Sequence, residues 1–180
     1  MRKLTVKKLA LAAVVAALYT VLSYFSGIFG LAYGPIQCRF SEALCVLPFF
    51  FPETGWGLFV GCILTNLLSA YGPADVVFGS LATLLAALAT AKVKNRRLAP
   101  LPPVIANGLI VGAVISWAEV GFGPGFWAAF AYNGITVAIG EAIACFVLGM
   151  LLLHFLPKIS FFREMIPQEK LPERDKRRES

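Results

Sequence analysis

Long apolar stretches with almost no charge inside them constrain this chain more than any other feature. A helix that crosses a bilayer needs about 20 predominantly apolar residues. The chain is 58% hydrophobic and 14% charged, whereas a soluble domain is about a quarter charged. The pattern therefore predicts an all-α, polytopic membrane protein with six transmembrane helices. The candidate spans are residues 9–25, 40–51, 56–69, 76–93, 103–117 and 130–155.

The second and third candidate spans are short for a membrane crossing. Both contain or adjoin proline and glycine, among them Pro48, Pro52 and Gly55. Such residues kink helices, because proline removes a hydrogen-bond donor and glycine loosens the backbone. Two alternatives therefore stay open for this region: a pair of kinked crossings, or a hairpin that enters and leaves on the same side.

Basic residues orient the predicted spans. They cluster before the first span, between the fourth and fifth, and after the sixth, and Arg39 alone falls on the opposite side. Cytoplasmic loops carry an excess of Lys and Arg. We therefore expect a multi-pass protein of the cell membrane with both termini in the cytoplasm. The net charge of +6 lies in these helix flanks, which argues against a nucleic-acid partner.

The predicted domain organisation has two parts, a transmembrane domain over residues 1–157 and a charged cytoplasmic tail over residues 158–180. The tail carries charges of both signs and follows Pro157, and this composition is typical of a solvated, loosely ordered segment. A second interpretation concerns the first span, since a basic start followed by an apolar core also fits a signal peptide.

No motif for metal binding or soluble catalysis is present. None of the four cysteines forms a C-x-x-C pair, so packing is their expected role. His154 stands alone, and one histidine with distant thiols makes no zinc site. The sequence has no P-loop, G-x-S-x-G or H-E-x-x-H. We expect no enzyme activity, no metal and no cofactor, and ATP-driven transport would need partner subunits.

Acidic residues in or beside the apolar runs are the candidate functional groups. A carboxylate at membrane depth is costly, so such a residue marks a ligand site or an ion path. Arg39 lies three residues before Glu42, and the two can pair on one helix face. Asp75 precedes the fourth span, where capping of that helix is the alternative role. The four acids are Glu42, Asp75, Glu119 and Glu141.

Amides and aromatic rings accompany the acids. Carboxylates accept N–H bonds, amides both donate and accept, and flat rings stack on planar ligands. The set predicts a site for a small planar heterocycle with several N–H donors. The alternative is structural, with Arg39 and Glu42 as an ion pair and the amides as interhelical bonds. The further candidates are Gln37, Asn66, Asn133, Tyr33, Tyr71 and Trp117.

Four alanines in the first span form two overlapping pairs of small residues four apart. A small-residue face lets another helix approach closely. The face fits docking of a partner protein, and it fits packing within the bundle equally well. The residues are Ala12, Ala13, Ala16 and Ala17.

Residues 33–50, YGPIQCRFSEALCVLPFF, resemble the QueT family, the queuosine-precursor substrate-binding (S) components of energy-coupling factor (ECF) transporters. Further similar blocks are residues 61–68 (GCILTNLL), 75–85 (DVVFGSLATLL) and 98–107 (LAPLPPVIAN). The likeness extends from the first span to Glu141. Blocks 33–50 and 75–85 are the specific ones.

The resemblance implies a six-helix S component that works with a transmembrane coupling subunit and two cytoplasmic ATPases. Docking in such families uses small residues of the first helix, which would be the four alanines. The implied substrate is a 7-deazaguanine such as the aminomethyl form, for which Glu42 and Glu141 are our first pair of ligands. Three alternatives remain: an S component for another vitamin-like heterocycle, an intramembrane enzyme, and an assembly protein that binds no solute.

Overall fold

The computed structural model describes residues 6–30, 38–69 and 71–171, and every regular element within those ranges is helical. This confirms the all-α prediction. We number the α-helices in chain order and call the ten-residue segment Phe40–Phe49 the buried 3-10 helix. Their bounds are α1 Val6–Ile28, α2 Thr54–Asn66, α3 Gly72–Lys92, α4 Leu101–Val120, α5 Phe126–Lys158 and α6 Ser160–Arg163.

Four helices in the described residues are long and apolar enough to cross a membrane. They are α1, α3, α4 with the turn before it, and α5. Each of α3 and α5 includes a π-helical stretch, Asp75–Gly79 and Ile143–Gly149. The predicted second and third spans correspond to the buried 3-10 helix and to α2, which have 10 and 13 residues. The chain is therefore a multi-pass membrane protein.

The buried 3-10 helix runs antiparallel to α1. At one end the Phe40 N–H donates to Ser26 Oγ at 2.8 Å. Beyond its other end, Glu53 lies 3.9 Å from Lys8 Nζ, near the start of α1. A 3-10 helix rises about 2 Å per residue, so ten residues cover most of that distance. Almost all its side chains are buried, as expected of a helix that is apolar all round.

Helix α2 returns parallel to α1 in very close contact. A Cβ placed on Gly57 would lie 2.1 Å from the carbonyl oxygen of Ala12, and one on Gly61 would lie 2.8 Å from that of Ala16. Both distances exclude any side chain, so glycine is required for the two backbones to approach. The buried 3-10 helix and α2 thus travel down and back along most of the length of α1.

The remaining helices complete an antiparallel bundle. Helix α3 runs back along α2, since Asn66 Nδ2 donates to the carbonyl oxygen of Asp75 at 3.0 Å near one end of the pair. Helices α4 and α5 cross at two small residues, where a Cβ on Gly112 would meet Gly134 Cα at 2.6 Å. Lower in α5, Gly149 packs against Val46 of the buried 3-10 helix.

The segment after α5 corrects one expectation. We expected a loosely ordered tail after Pro157, but Ile166 and Leu171 are buried against the bundle. Lys170 Nζ donates to the carbonyl oxygens of Phe49 at 2.6 Å and Ala91 at 2.9 Å. Scattered apolar side chains and one lysine therefore tie this segment across the helix ends, while residues 172–180 lie outside the described part.

Candidate functional site

The polar side chains of the bundle interior converge on one small cavity. Its volume is ≈ 30 Å³, which is room for a water molecule or two. The buried 3-10 helix and each of α1 to α5 contribute to its wall, so the cavity exists only when the whole bundle is assembled. The lining residues are Tyr19, Arg39, Glu42, Cys62, Asn66, Asp75, Gly79, Thr83, Asn107, Val111, Val137 and Glu141.

Glu42 is held in the cavity wall by donors from two elements. Tyr19 Oη on α1 donates to Glu42 Oε1 at 2.6 Å, and Cys45 Sγ, one turn along the buried 3-10 helix, donates to Oε2 at 3.1 Å. The carboxyl is almost completely buried. A hydrogen bond to a charged acceptor contributes about 1.5–3 kcal/mol, so these two donors help a carboxylate persist there.

Glu141 reaches the same cavity from α5. Asn107 Nδ2 on α4 donates to Glu141 Oε1. On the other side, Cys145 Sγ lies 3.5 Å from Glu141 Oε2 and 3.2 Å from the carbonyl oxygen of Glu42. Glu141 and Glu42 are therefore linked through one thiol group, although they lie on different helices.

Asp75 and Asn66 form the wall between α2 and α3. Ser69 Oγ donates to Asp75 Oδ2 at 2.6 Å, and Arg39 Nη1 donates to Asn66 Oδ1 at 3.4 Å. Asp75 lies in the first turn of α3 rather than at its N-cap, which is Tyr71. The described contacts thus connect Arg39 to the Asn66 amide, and the ion pair expected between Arg39 and Glu42 is replaced by their shared position on the cavity.

Glu119 and Asn133 lie apart from the cavity. Asn133 Nδ2 donates to Glu119 Oε2 at 2.8 Å and to Ser116 Oγ at 3.1 Å, which ties the outer ends of α4 and α5 together. Asn133 and Ser116 are buried, whereas Glu119 is exposed. This trio, which we call the rim cluster, does not share the cavity with Glu42 and Glu141.

The predicted aromatic residues also lie elsewhere. Trp117 is 45% exposed and packs against Phe122. Tyr71 is half-buried at the N-cap of α3. Two further candidates, Tyr33 and Gln37, lie outside the described residues.

Several cavity residues were missed from the sequence. Tyr19 lies on the same face of α1 as Val15 and Ala12, four and seven residues earlier, and all three are buried. That spacing marks the inward face of a helix, but α1 is apolar on all sides and the pattern has little contrast. The cavity residues outside our predicted set are Tyr19, Cys62, Gly79, Thr83, Asn107, Val111 and Val137.

The four alanines of α1 divide between two faces. Ala12 is buried and Ala16 half-buried, and their backbones contact Gly57 and Gly61 of α2. Ala13 and Ala17 are exposed on the outside of the bundle. Internal packing therefore accounts for one pair, and the other pair presents a small-residue face outward.

No metal site is evident in the part of the chain that the structure describes, where no three His, Cys, Asp or Glu side chains are grouped to hold an ion.

Comparison with known proteins places the chain in a family. Residues 9–158 match the sequence model described as "QueT transporter". A 73-residue segment is 41% identical to the "Queuosine precursor transporter QueT" of Lactococcus lactis subsp. cremoris (strain MG1363). That alignment covers 41% of this chain and 43% of the relative, so it spans less than half of either. No solved structure matches. Because the family model covers most of the chain, this multi-pass membrane protein is a transporter rather than an enzyme, and it belongs to the QueT transporter family.

Proposed function

We propose that the chain is the substrate-binding subunit of an ATP-driven ECF importer that takes up a queuosine precursor, a 7-deazaguanine such as the aminomethyl form. The observation that carries the proposal is the cavity inside the bundle, where Glu42, Glu141 and Asp75 meet Arg39 and two amides. Family membership makes the chain a transporter. The printed name of the Lactococcus relative, a queuosine precursor transporter, agrees with the proposed solute.

The cavity has the polarity that a deazaguanine needs. The guanine-like edge of such a ring carries adjacent N–H donors, which one carboxylate accepts with both oxygens. An aminomethyl group is cationic near neutral pH and requires a second carboxylate close by. Glu42 and Glu141 are our choices for these two roles, with Asp75 as a third acceptor. Asn66 and Asn107 supply amides that both donate and accept.

The cavity volume requires movement on binding. A space of ≈ 30 Å³ accommodates water but not a bicyclic ring. Substrate entry therefore separates lining side chains, and Arg39 is a natural part to move because it is half-buried and lies just before the buried 3-10 helix. We propose that Tyr19, whose hydroxyl already contacts Glu42, serves as the aromatic partner of the ring.

Six membrane crossings with cytoplasmic termini are part of the proposal. The buried 3-10 helix and α2 run down and up beside α1, which supports two crossings rather than a shallow hairpin. The four long helices supply the other crossings. This count brings the basic residues, apart from Arg39, to one side, which the positive-inside rule makes the cytoplasm.

The sequence has no P-loop, so ATP hydrolysis is assigned to two cytoplasmic ATPases acting through a coupling subunit. We propose that this subunit docks on α1 through the outward pair Ala13 and Ala17. Their exposure supports this choice, because small side chains allow close helix contact in a membrane. Ala12 and Ala16, which pack inside the bundle, are left out of the proposed docking face.

Titration calorimetry of the purified protein against a solute panel tests the proposal. We expect saturable binding of 7-aminomethyl-7-deazaguanine, weaker binding of neutral 7-deazaguanine, and none of biotin, whose carboxylate would face the acids. Preference for another vitamin-like heterocycle would transfer the site to that solute. Absence of binding to every compound would favour an assembly protein.

A further inference from the structure

The cavity holds more acid than base. Glu42, Asp75 and Glu141 line it and are 6%, 2% and 5% exposed, while Arg39 is the one basic residue among the lining side chains. If all four were ionised, two negative charges would stay uncompensated. A charge at membrane depth costs about 3 kcal/mol or more, and a buried acid without a partner takes up a proton instead. At least one carboxyl therefore carries a proton when no cationic solute is bound.

Asp75 and Glu42 are the two acids that are equipped to stay ionised. Asp75 lies in the first turn of α3 and accepts from Ser69 Oγ, and the positive end of a helix dipole favours a negative charge there. Glu42 accepts from Tyr19 and Cys45. Arg39 precedes Glu42 by three residues and lines the same cavity.

Glu141 differs because the hydrogen atoms around it are already committed. A thiol has one hydrogen, and Cys145 Sγ lies closer to the carbonyl oxygen of Glu42, at 3.2 Å, than to Glu141 Oε2, at 3.5 Å. A carbonyl oxygen can only accept, so the thiol hydrogen goes to Glu42. The hydrogen between Sγ and Oε2 must then come from Glu141. This geometry is that of a carboxylic acid that donates to sulfur.

We propose that Glu141 is protonated in the solute-free protein and releases its proton to bulk water when a cationic solute enters the cavity. The Oε2–H bond breaks, its electron pair stays on the carboxylate, and the solute cation replaces the proton as the neutralising charge. The inference rests on the proposed function, because it takes this cavity as the binding site. The titratable and charged groups near Glu141 are Tyr19, Cys38, Arg39, Glu42, Cys45, Cys62, Asp75 and Cys145.

The release of one proton has a measurable consequence. Below the pH at which free Glu141 ionises, affinity for a cationic solute should fall tenfold for each unit decrease in pH, since each bound cation must displace one proton. A neutral solute displaces no proton, so its affinity should stay nearly constant over the same range. The cation and the neutral ring therefore separate proton exchange from recognition of the ring itself.

Calorimetry in buffers of different ionisation enthalpy counts the released protons directly. We expect about one proton per 7-aminomethyl-7-deazaguanine at acidic to neutral pH and close to none for neutral 7-deazaguanine. Glu141→Gln, which keeps the side-chain shape, should abolish the release. Glu119→Gln is the matched control, because it removes a carboxyl of the rim cluster and should leave the count unchanged.

Infrared difference spectroscopy gives a second measurement that does not depend on a variant that binds. In the wild-type protein, adding the cation should remove a protonated-carboxyl band. The band should be absent from solute-free Glu141→Gln that retains the wild-type helical content. Wild-type binding without proton release or band loss would overturn the inference and leave the proposed function standing. Failure of both deazaguanines to bind would instead reject the proposed function.

Discussion

The cavity and the rim cluster both contain a carboxyl bonded to an asparagine, yet their surroundings differ. In the cavity, Asn107 bonds to Glu141 in a fully buried site with two further acids. In the rim cluster, Asn133 bonds to Glu119, whose carboxyl is exposed at the end of α4. Water can solvate an exposed charge at little cost, whereas a buried charge needs a partner. The same pair of residue types thus favours a binding site in one place and a helix tie in the other.

The two alanine pairs of α1 repeat this contrast between an inner and an outer face. Ala12 is buried against Gly57, whereas Ala13, the next residue, is exposed. Rotation by one residue along the helix, about 100°, changes the role from packing to a free surface. Depth and facing, rather than residue type, therefore decide what each candidate residue can do.

Ala12→Leu against Ala13→Leu is the comparison with the largest expected effect. Overpacking a tight helix contact costs about 1–3 kcal/mol, so Ala12→Leu should clearly lower the thermal unfolding midpoint. Ala13→Leu should leave that midpoint unchanged and reduce copurification with the coupling subunit. Equal midpoints in the two variants would contradict the division of α1 into two faces.

Glu42→Gln and Glu141→Gln should each weaken binding of the aminomethyl deazaguanine by more than tenfold, about 1.4 kcal/mol. Each variant removes one negative charge from the cavity and one acceptor for the solute N–H groups. Glu119→Gln serves as the control and should change affinity by less than about twofold, because an exposed acid contributes little. Calorimetric titration measures all three, and a loss in Glu119→Gln equal to that in Glu141→Gln would move the site to the rim cluster.

Tyr19→Phe tests the tyrosine that was missed from the sequence. The variant keeps the ring and removes the hydroxyl that donates to Glu42 Oε1 at 2.6 Å. Loss of one hydrogen bond should weaken solute binding by about 1 kcal/mol, a factor near five. Tyr24→Phe is the matched control, since Tyr24 Oη donates to the carbonyl oxygen of Leu64 on the exposed side of α1. Equal affinities in the two variants would remove Tyr19 from the site.

Hydropathy predicted the helical class and the multi-pass architecture, because the cost of unsatisfied backbone in lipid leaves few alternatives. Membrane depth also singled out Glu42, Asp75 and Glu141, which the structure places on one cavity. It could not separate them from Glu119, because the difference depends on which way each helix face is turned. Tyr19 was missed for the same reason, since helices that are apolar on every side give no moment from which to read an inward face.

The segment after α5 shows a different limit of composition. Its charges suggested a solvated tail, yet Ile166 and Leu171 pack inward and Lys170 bonds to two helix-end carbonyl groups. A few apolar side chains spaced along a charged segment are sufficient to dock it when the helix ends offer unsatisfied carbonyl groups. Average composition does not resolve such a pattern.

Lys170→Met against Lys158→Met carries the smallest expected effect and compares a partly buried lysine with an exposed one. Burial lowers the pKa of Lys170 from its ordinary 10.5, and Glu169 opposes that shift. The unfolded chain therefore binds this proton more tightly than the folded protein. Unfolding takes up a proton between the lowered pKa and 10.5, so Lys170 makes stability rise with pH across that window.

Lys170→Met should remove this contribution and, at neutral pH, lower stability by about 1 kcal/mol, since two carbonyl groups lose their donor. Lys158→Met should do neither, because the exposed Lys158 ammonium contacts only His154 and the Phe155 ring among the described residues. Thermal unfolding from pH 8 upward, taken as the difference between each variant and the wild type, measures both quantities. Identical profiles for the two variants would mean that the docked segment contributes nothing to the folded bundle.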